Sequence, residues 1–151
     1  MPALSDAPEL SIGPGWRFRL PPDPQGRRDF IRALSDEYDL IEVSDRSQWQ
    51  TLLAWAKIPP PADGGEPDFA SGVVAGVAVR VGMPVEPGWP LAVEQVRAQD
   101  GLGWIEAEVR PGVYYPLLTH GYAVVHHLSG VRRVAAVRVN GRLFISEPVV
   151  R

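Results

Sequence analysis

The sequence contains no cysteine, which excludes disulfides, thiolate zinc sites and cysteine nucleophiles together. Lysine is nearly absent as well: Lys57 stands alone, and the other cations are arginines. With a formal net charge of -3, the chain as a whole has no positive excess to draw a polyanion. No stretch approaches the roughly 20 apolar residues of a helical membrane span, and residues 1–20 hold no apolar core of signal-peptide length. The expected location is cytoplasmic if Met1 is the native start, and exported if a leader precedes it. The familiar catalytic signatures are missing too: there is no Gly-x-Ser-x-Gly elbow, phosphate loop or His-Glu-x-x-His. Gly101-x-Gly103 is followed by Glu106 where a dinucleotide loop needs its third glycine.

Proline and glycine, by contrast, are abundant, at 16 and 15 of 151 residues, and they call for many turns between short strands. A chain of this length buries about 70% of its unfolded surface as one domain. Residues 1–36 read as an extended Pro/Gly-rich arm with a short strand at Trp16–Leu20, where Trp16 and Phe18 alternate with Arg17 and Arg19. Residues 37–151 read as a single β-rich domain. One helix is expected at 47–57: Ser47 and Gln50 form a capping-box pair, Trp49, Leu52, Leu53 and Ala56 share a face, and Pro59-Pro60-Pro61 ends the run.

From Asp68 onward the period is two. Val73, Ala75, Val77, Val79 and Val81 mark one strand, and Leu91–Arg97, Gly103–Arg110, Gly121–Leu128, Val131–Val139 and Arg142–Val149 mark others. Asp100-Gly101 and Asn140-Gly141 are tight-hairpin signals, and Ser129-Gly130 is a further turn. The expected fold is mainly β: an antiparallel sandwich or open barrel with one short N-terminal amphipathic helix.

Segment 40–128 resembles the conserved domain of PrcB-type protease-complex subunits, small bacterial proteins that accompany a secreted protease. The resemblance is carried by Trp49 on the helix, Pro67-Asp68-Phe69, the glycine Gly82 after a Val-rich strand, and the Gly88-Trp89 turn. Pro111-Gly112, Leu118-Thr119 and Gly121-Tyr122 complete it. Gly88-Trp89 replaces the more usual Gly-Gly-Tyr, and Gly121 stands where proline is more usual. The family is typically exported, often as a lipoprotein, whereas this chain has no lipobox cysteine. The resemblance implies a non-catalytic accessory or protein-binding domain, with another protein, such as a protease, as partner and no cofactor.

The residues themselves offer three kinds of site. Trp89, Trp104, Tyr114, Tyr115 and Tyr122 cluster in or beside turns of the second half. Exposed aromatics bury large area on a partner at little entropic cost, so Trp89, Trp104, Tyr114 and Tyr115 are the candidate partner-binding set. Trp104, on the polar side of its strand, is expected to be exposed; the plainer reading of Trp89 and Tyr122 is that they plug the ends of the core. The alternative site is the C-terminal hairpin, whose Arg132, Arg133, Arg138 and Arg142 could meet nucleic acid, against the plainer reading of a charge-protected sheet edge. The third is a small hydrolase built on His120 or His126 with a carboxylate. No metal site is expected, because His126 and His127 are adjacent on a strand and point to opposite faces. Glu106 and Glu108 share a face at about 7 Å by strand rise, and alternation with Ile105 and Ala107 makes that the wet face.

Overall fold

A computed structural model describes residues 7–13, 15–20, 38–56, 66–84, 88–110 and 114–144, with backbone alone at 20, 38, 39, 55, 56, 80–84, 114–120 and 144. Nine strands and one helix follow in the order β1 (Glu9–Leu10), β2 (Trp16–Leu20), β3 (Tyr38–Val43), α1 (Arg46–Ala56), β4 (Gly72–Pro84), β5 (Leu91–Gln99), β6 (Leu102–Val109), β7 (Tyr114–Ser129), β8 (Arg133–Val139) and β9 (Arg142–Phe144). They form a β-sandwich. A five-stranded sheet runs β1-β5-β6-β8-β9 and a four-stranded sheet runs β2-β7-β4-β3; neither closes into a barrel.

The sandwich core is what alternation demands. Val73, Ala75, Val77 and Val79 of β4, with Tyr122, Val124 and Leu128 of β7, face Val96, Ile105, Ala107, Val134, Val137 and Val139 from the other sheet. The opposite side of β4 and β7 is apolar too, with Val74, Ala78, Ala123 and Val125 all buried. Strands buried on both faces need a third layer, and α1 supplies it. Trp49 and Leu52 of the helix lie on Ile41, Val43 and Phe18, with Trp49 edge-on to Trp16 at 5.1 Å and to Phe69 at 6.5 Å between ring centroids.

The helix starts two residues earlier than the Ser47–Gln50 pair implies. Asp45 is the cap: its Oδ1 accepts from the Gln48 N–H at 2.8 Å, while Gln48 Oε1 accepts from the Ser44 N–H at 2.8 Å. An aspartate supplies the same side-chain oxygen as a serine, and the earlier start leaves Ser47 inside the first turn.

Both predicted hairpins form with the left-handed backbone that two-residue turns require. Asp100 and Gly101 have φ of 54° and 79°, and Asn140 and Gly141 have 50° and 80°. The exception to antiparallel order is β6 with β8, which run parallel. β7 leaves β6 for the other sheet, pairs along β4, and the chain returns through Ser129-Gly130 to enter beside β6 in the same direction. The two sheets are tied near that return: Glu42 of β3 accepts the Val134 N–H of β8 at 2.5 Å.

The Pro/Gly-rich N-terminal segment contributes an edge strand to each sheet, β1 beside β5 and β2 beside β7. The Pro59-Pro60-Pro61 stop lies outside the described residues.

Candidate functional site

At one end of the sandwich, where β5 begins and β6 ends, the chain leaves a cavity of about 190 Å³ lined by Trp89, Pro90, Leu91, Ala92, Glu108 and Arg110. Its walls follow from local sequence. Gly88 takes φ of 121°, a conformation that side chains resist, and this turns Trp89 back towards the sheet. A Cβ at Gly88 would collide with the Arg110 guanidinium, so the missing side chain makes room for that cation. The Arg110 N–H donates to the Pro90 carbonyl at 2.7 Å, extending the β5–β6 pairing by one step and fixing the cavity's two sides.

Trp89 is half-buried and packs edge-on against Tyr122, ring centroids 5.1 Å apart and planes at 83°. The Arg19 guanidinium lies over the other part of that stack, 5.6 Å from the Tyr122 ring centre. Tyr122 is therefore core, as its plainer reading has it. Trp89 both packs on the core and lines the cavity, and its buried Nε1–H has no hydrogen-bond acceptor among the described residues.

Beside the cavity, the outer face of the five-stranded sheet carries three glutamates. A bulge between Val93 and Gln95 pushes Glu94 out of register, where it hydrogen-bonds to Glu108. Glu94 is held above the ordinary carboxylate range, first by that bond to Glu108, then by slight burial and by the charges of Glu108 and Glu106. Glu106 has a cation of its own, with Arg138 Nη1 at 3.4 Å.

Trp104 corrects the expectation of exposure: it is 2% exposed and belongs to neither apolar cluster. β6 is the central strand, so Trp104 is flanked on its own face by Arg97 and Ala136. Arg97 is anchored there by Nη1 donating to the Ala7 carbonyl at 2.8 Å. A large ring between a small residue and a long, fixed side chain is covered even on a charged face. Tyr114 and Tyr115 open β7, and their side chains are outside the described residues.

The hairpin arginines do not form one basic stripe. Arg132 donates to the Ala70 carbonyl at 3.1 Å and Arg138 is paired with Glu106, while Arg133 lies close enough to Glu42 to favour its charged form. Arg142 is exposed on the edge strand β9.

His126 and His127 are likewise committed to backbone. His120 lies in β7 opposite Val81, and its side chain is outside the described residues. His126 Nδ1–H donates to the Gly13 carbonyl at 2.9 Å, and burial holds its pKa below the ordinary value, with Gly13 acting against burial and Arg17 with it. His127 Nε2 is 2.9 Å from the Asp68 carbonyl and 3.2 Å from Ser71 Oγ. A carbonyl only accepts, so that nitrogen carries the hydrogen; Ser71 in turn donates to the same carbonyl at 3.1 Å. The serine thus faces a donor rather than a base. Among the described residues, no three metal-binding side chains converge.

Sequence reasoning found Trp89 and missed Arg110, which lines the same cavity, and Glu94, which meets Glu108 beside it. The readable signal was Gly88 before Trp89; the bulge at Glu94 has none. Comparison with family models, curated proteins and solved structures returns no match.

Proposed function

We propose that this chain is a non-catalytic accessory domain that binds another protein through the cavity at Trp89. The reading rests on one observation: a half-buried tryptophan packed on the core lines an open cavity at the end of the sheet. Aromatic anchors in pockets dominate interface energetics. A cavity of about 190 Å³ falls below the ~300–1,000 Å³ of small-molecule pockets and suits one protein side chain. The resemblance to PrcB-type subunits points the same way, to a protein that accompanies a protease. The nucleic-acid reading needs free arginines in a row, and three of the four have work inside the fold. The hydrolase reading on His126 needs an imidazole free to act with a carboxylate, and His126 Nδ1 is held by the Gly13 carbonyl; the His120 side chain lies outside the described residues.

The test is capture from nuclease-treated extract of the source organism, with wild type, Trp89→Ala, Ala92→Trp to fill the cavity from its exposed rim, and Arg132→Ala with Arg133→Ala. The expected outcome is a specific protein, identified by mass spectrometry, that is retained by wild type and the arginine variant and lost with both cavity variants. Circular dichroism checks that each variant is folded. Binding that persists with the cavity filled, or that disappears with nuclease or the arginine variant, overturns the proposal.

A further inference from the structure

Resting on that reading, we infer that the partner inserts one basic side chain, lysine or arginine, with its alkyl stem on Trp89, Leu91 and Ala92 and its cation beside Glu94 and Glu108. The argument is one of charge placed around an apolar floor. Trp89, Pro90, Leu91 and Ala92 give a surface that methylenes can cover, and long cationic side chains bury their stems while keeping the charge at a rim. An indole face adds attraction for a cation.

The rim decides the sign. Glu106 is neutralised by Arg138, but Glu94 and Glu108 meet each other, and every charge that acts on Glu94 is negative. Arg110, the cation on the rim, packs into the space left by Gly88, and Arg19 lies over Tyr122. Among the described residues, the charges acting on Glu94 are those of Glu108 and Glu106, both carboxylates. An incoming carboxylate would add a third like charge; an incoming alkyl group would leave the pair as it is. A cation relieves it.

The inference is tested by titrating ¹⁵N-labelled protein with four blocked tripeptides that differ at the central residue: lysine, arginine, norleucine and glutamate. The Trp89 indole N–H resonance, assigned with Trp89→Phe, is the readout. The lysine and arginine peptides should shift it saturably, with the norleucine and glutamate peptides weaker by about tenfold or more. Glu94→Gln combined with Glu108→Gln, both at exposed positions, should lose a similar factor of about tenfold while leaving the free-state spectrum near Trp89 in place. Preference for glutamate, equal binding of norleucine, indifference to the double glutamine variant, or no shift with any peptide overturns the inference. A captured protein that depends on Trp89 but not on the two glutamates would remove this inference and leave the accessory role standing.

Discussion

The four-stranded sheet is covered on its outer side by α1, which seats Trp49 and Leu52 on Phe18, Ile41, Val43 and Val125. The five-stranded sheet turns outward a face of Glu94, Glu106, Glu108, Arg97 and Arg138, with Leu143 at 61% exposure beside it. One face buries aromatics under a helix; the other keeps charges, a bulge and the Trp89 cavity, and covers a single ring, Trp104, with its own side chains. The same alternating chemistry thus yields a structural face where both sides of a strand are apolar, and a presenting face where one side is charged. On the proposed function, recognition belongs to the charged outer surface, and substitutions on the helix-covered side should change stability without touching it.

The strongest test of that division is Trp49→Ala set against Leu143→Ser. Trp49 is 2% exposed and contacts two further aromatic rings, so its truncation should cost about 3–5 kcal/mol of unfolding free energy. Leu143 already faces solvent, and its replacement should stay within about 0.5 kcal/mol. Urea unfolding of both variants checks this. Comparable losses at the two positions would mean that the presenting face is structurally loaded after all, and the comparison would fail.

A smaller effect is expected at the helix start. Asp45→Ala removes the acceptor for the Gln48 N–H and should cost about 1 kcal/mol. Ser47→Ala, inside the first turn, should cost less. Equal costs would put the cap at Ser47, two residues later.

How much of this was legible follows the distance over which each feature is decided. Asp100-Gly101 and Asn140-Gly141 are decided by the backbone freedom of two residues, and both turns form where the sequence places them. The inward stripe of β4 is decided by period-two alternation, and Val73, Ala75, Val77 and Val79 are core. The parallel pairing of β6 with β8 depends on where β7 goes in between, which no local pattern encodes. Trp104 was misjudged for a related reason. Its polar neighbours Glu106 and Glu108 describe the face correctly, but burial of a ring depends on Arg97 and Ala136 from strands distant in the chain. At the cavity, Gly88-Trp89 could be read because a glycine before an aromatic is a local event. Glu94 could not, because an extra residue in a strand looks like any other until its partner strand is known.

The smallest expected effect concerns the seam between the two sheets, where two half-buried titrating groups have opposite signs. His126 of the four-stranded sheet holds the Gly13 carbonyl in the connection from β1 to β2, and Glu42 holds the Val134 N–H of β8. Burial lowers the His126 pKa from 6.5, so as pH falls from that value the unfolded chain takes up its proton first and stability is lost until the folded histidine also titrates. Burial, opposed by the Val134 bond and by Arg133, raises Glu42 from 4.5, so the folded chain retains its proton longer as pH rises from there. Glu42 therefore contributes less stability as pH climbs through that window, the reverse of a carboxylate held by a salt bridge. Unfolding free energies measured across both windows for wild type, His126→Gln and Glu42→Gln should separate the two slopes. The gap between wild type and His126→Gln should narrow on acidification below 6.5, and that between wild type and Glu42→Gln should narrow on alkalinisation above 4.5. If the Glu42 slope ran the other way, the attraction of Arg133 and the Val134 bond would outweigh burial, and the seam would be an ion-paired surface rather than an interior one.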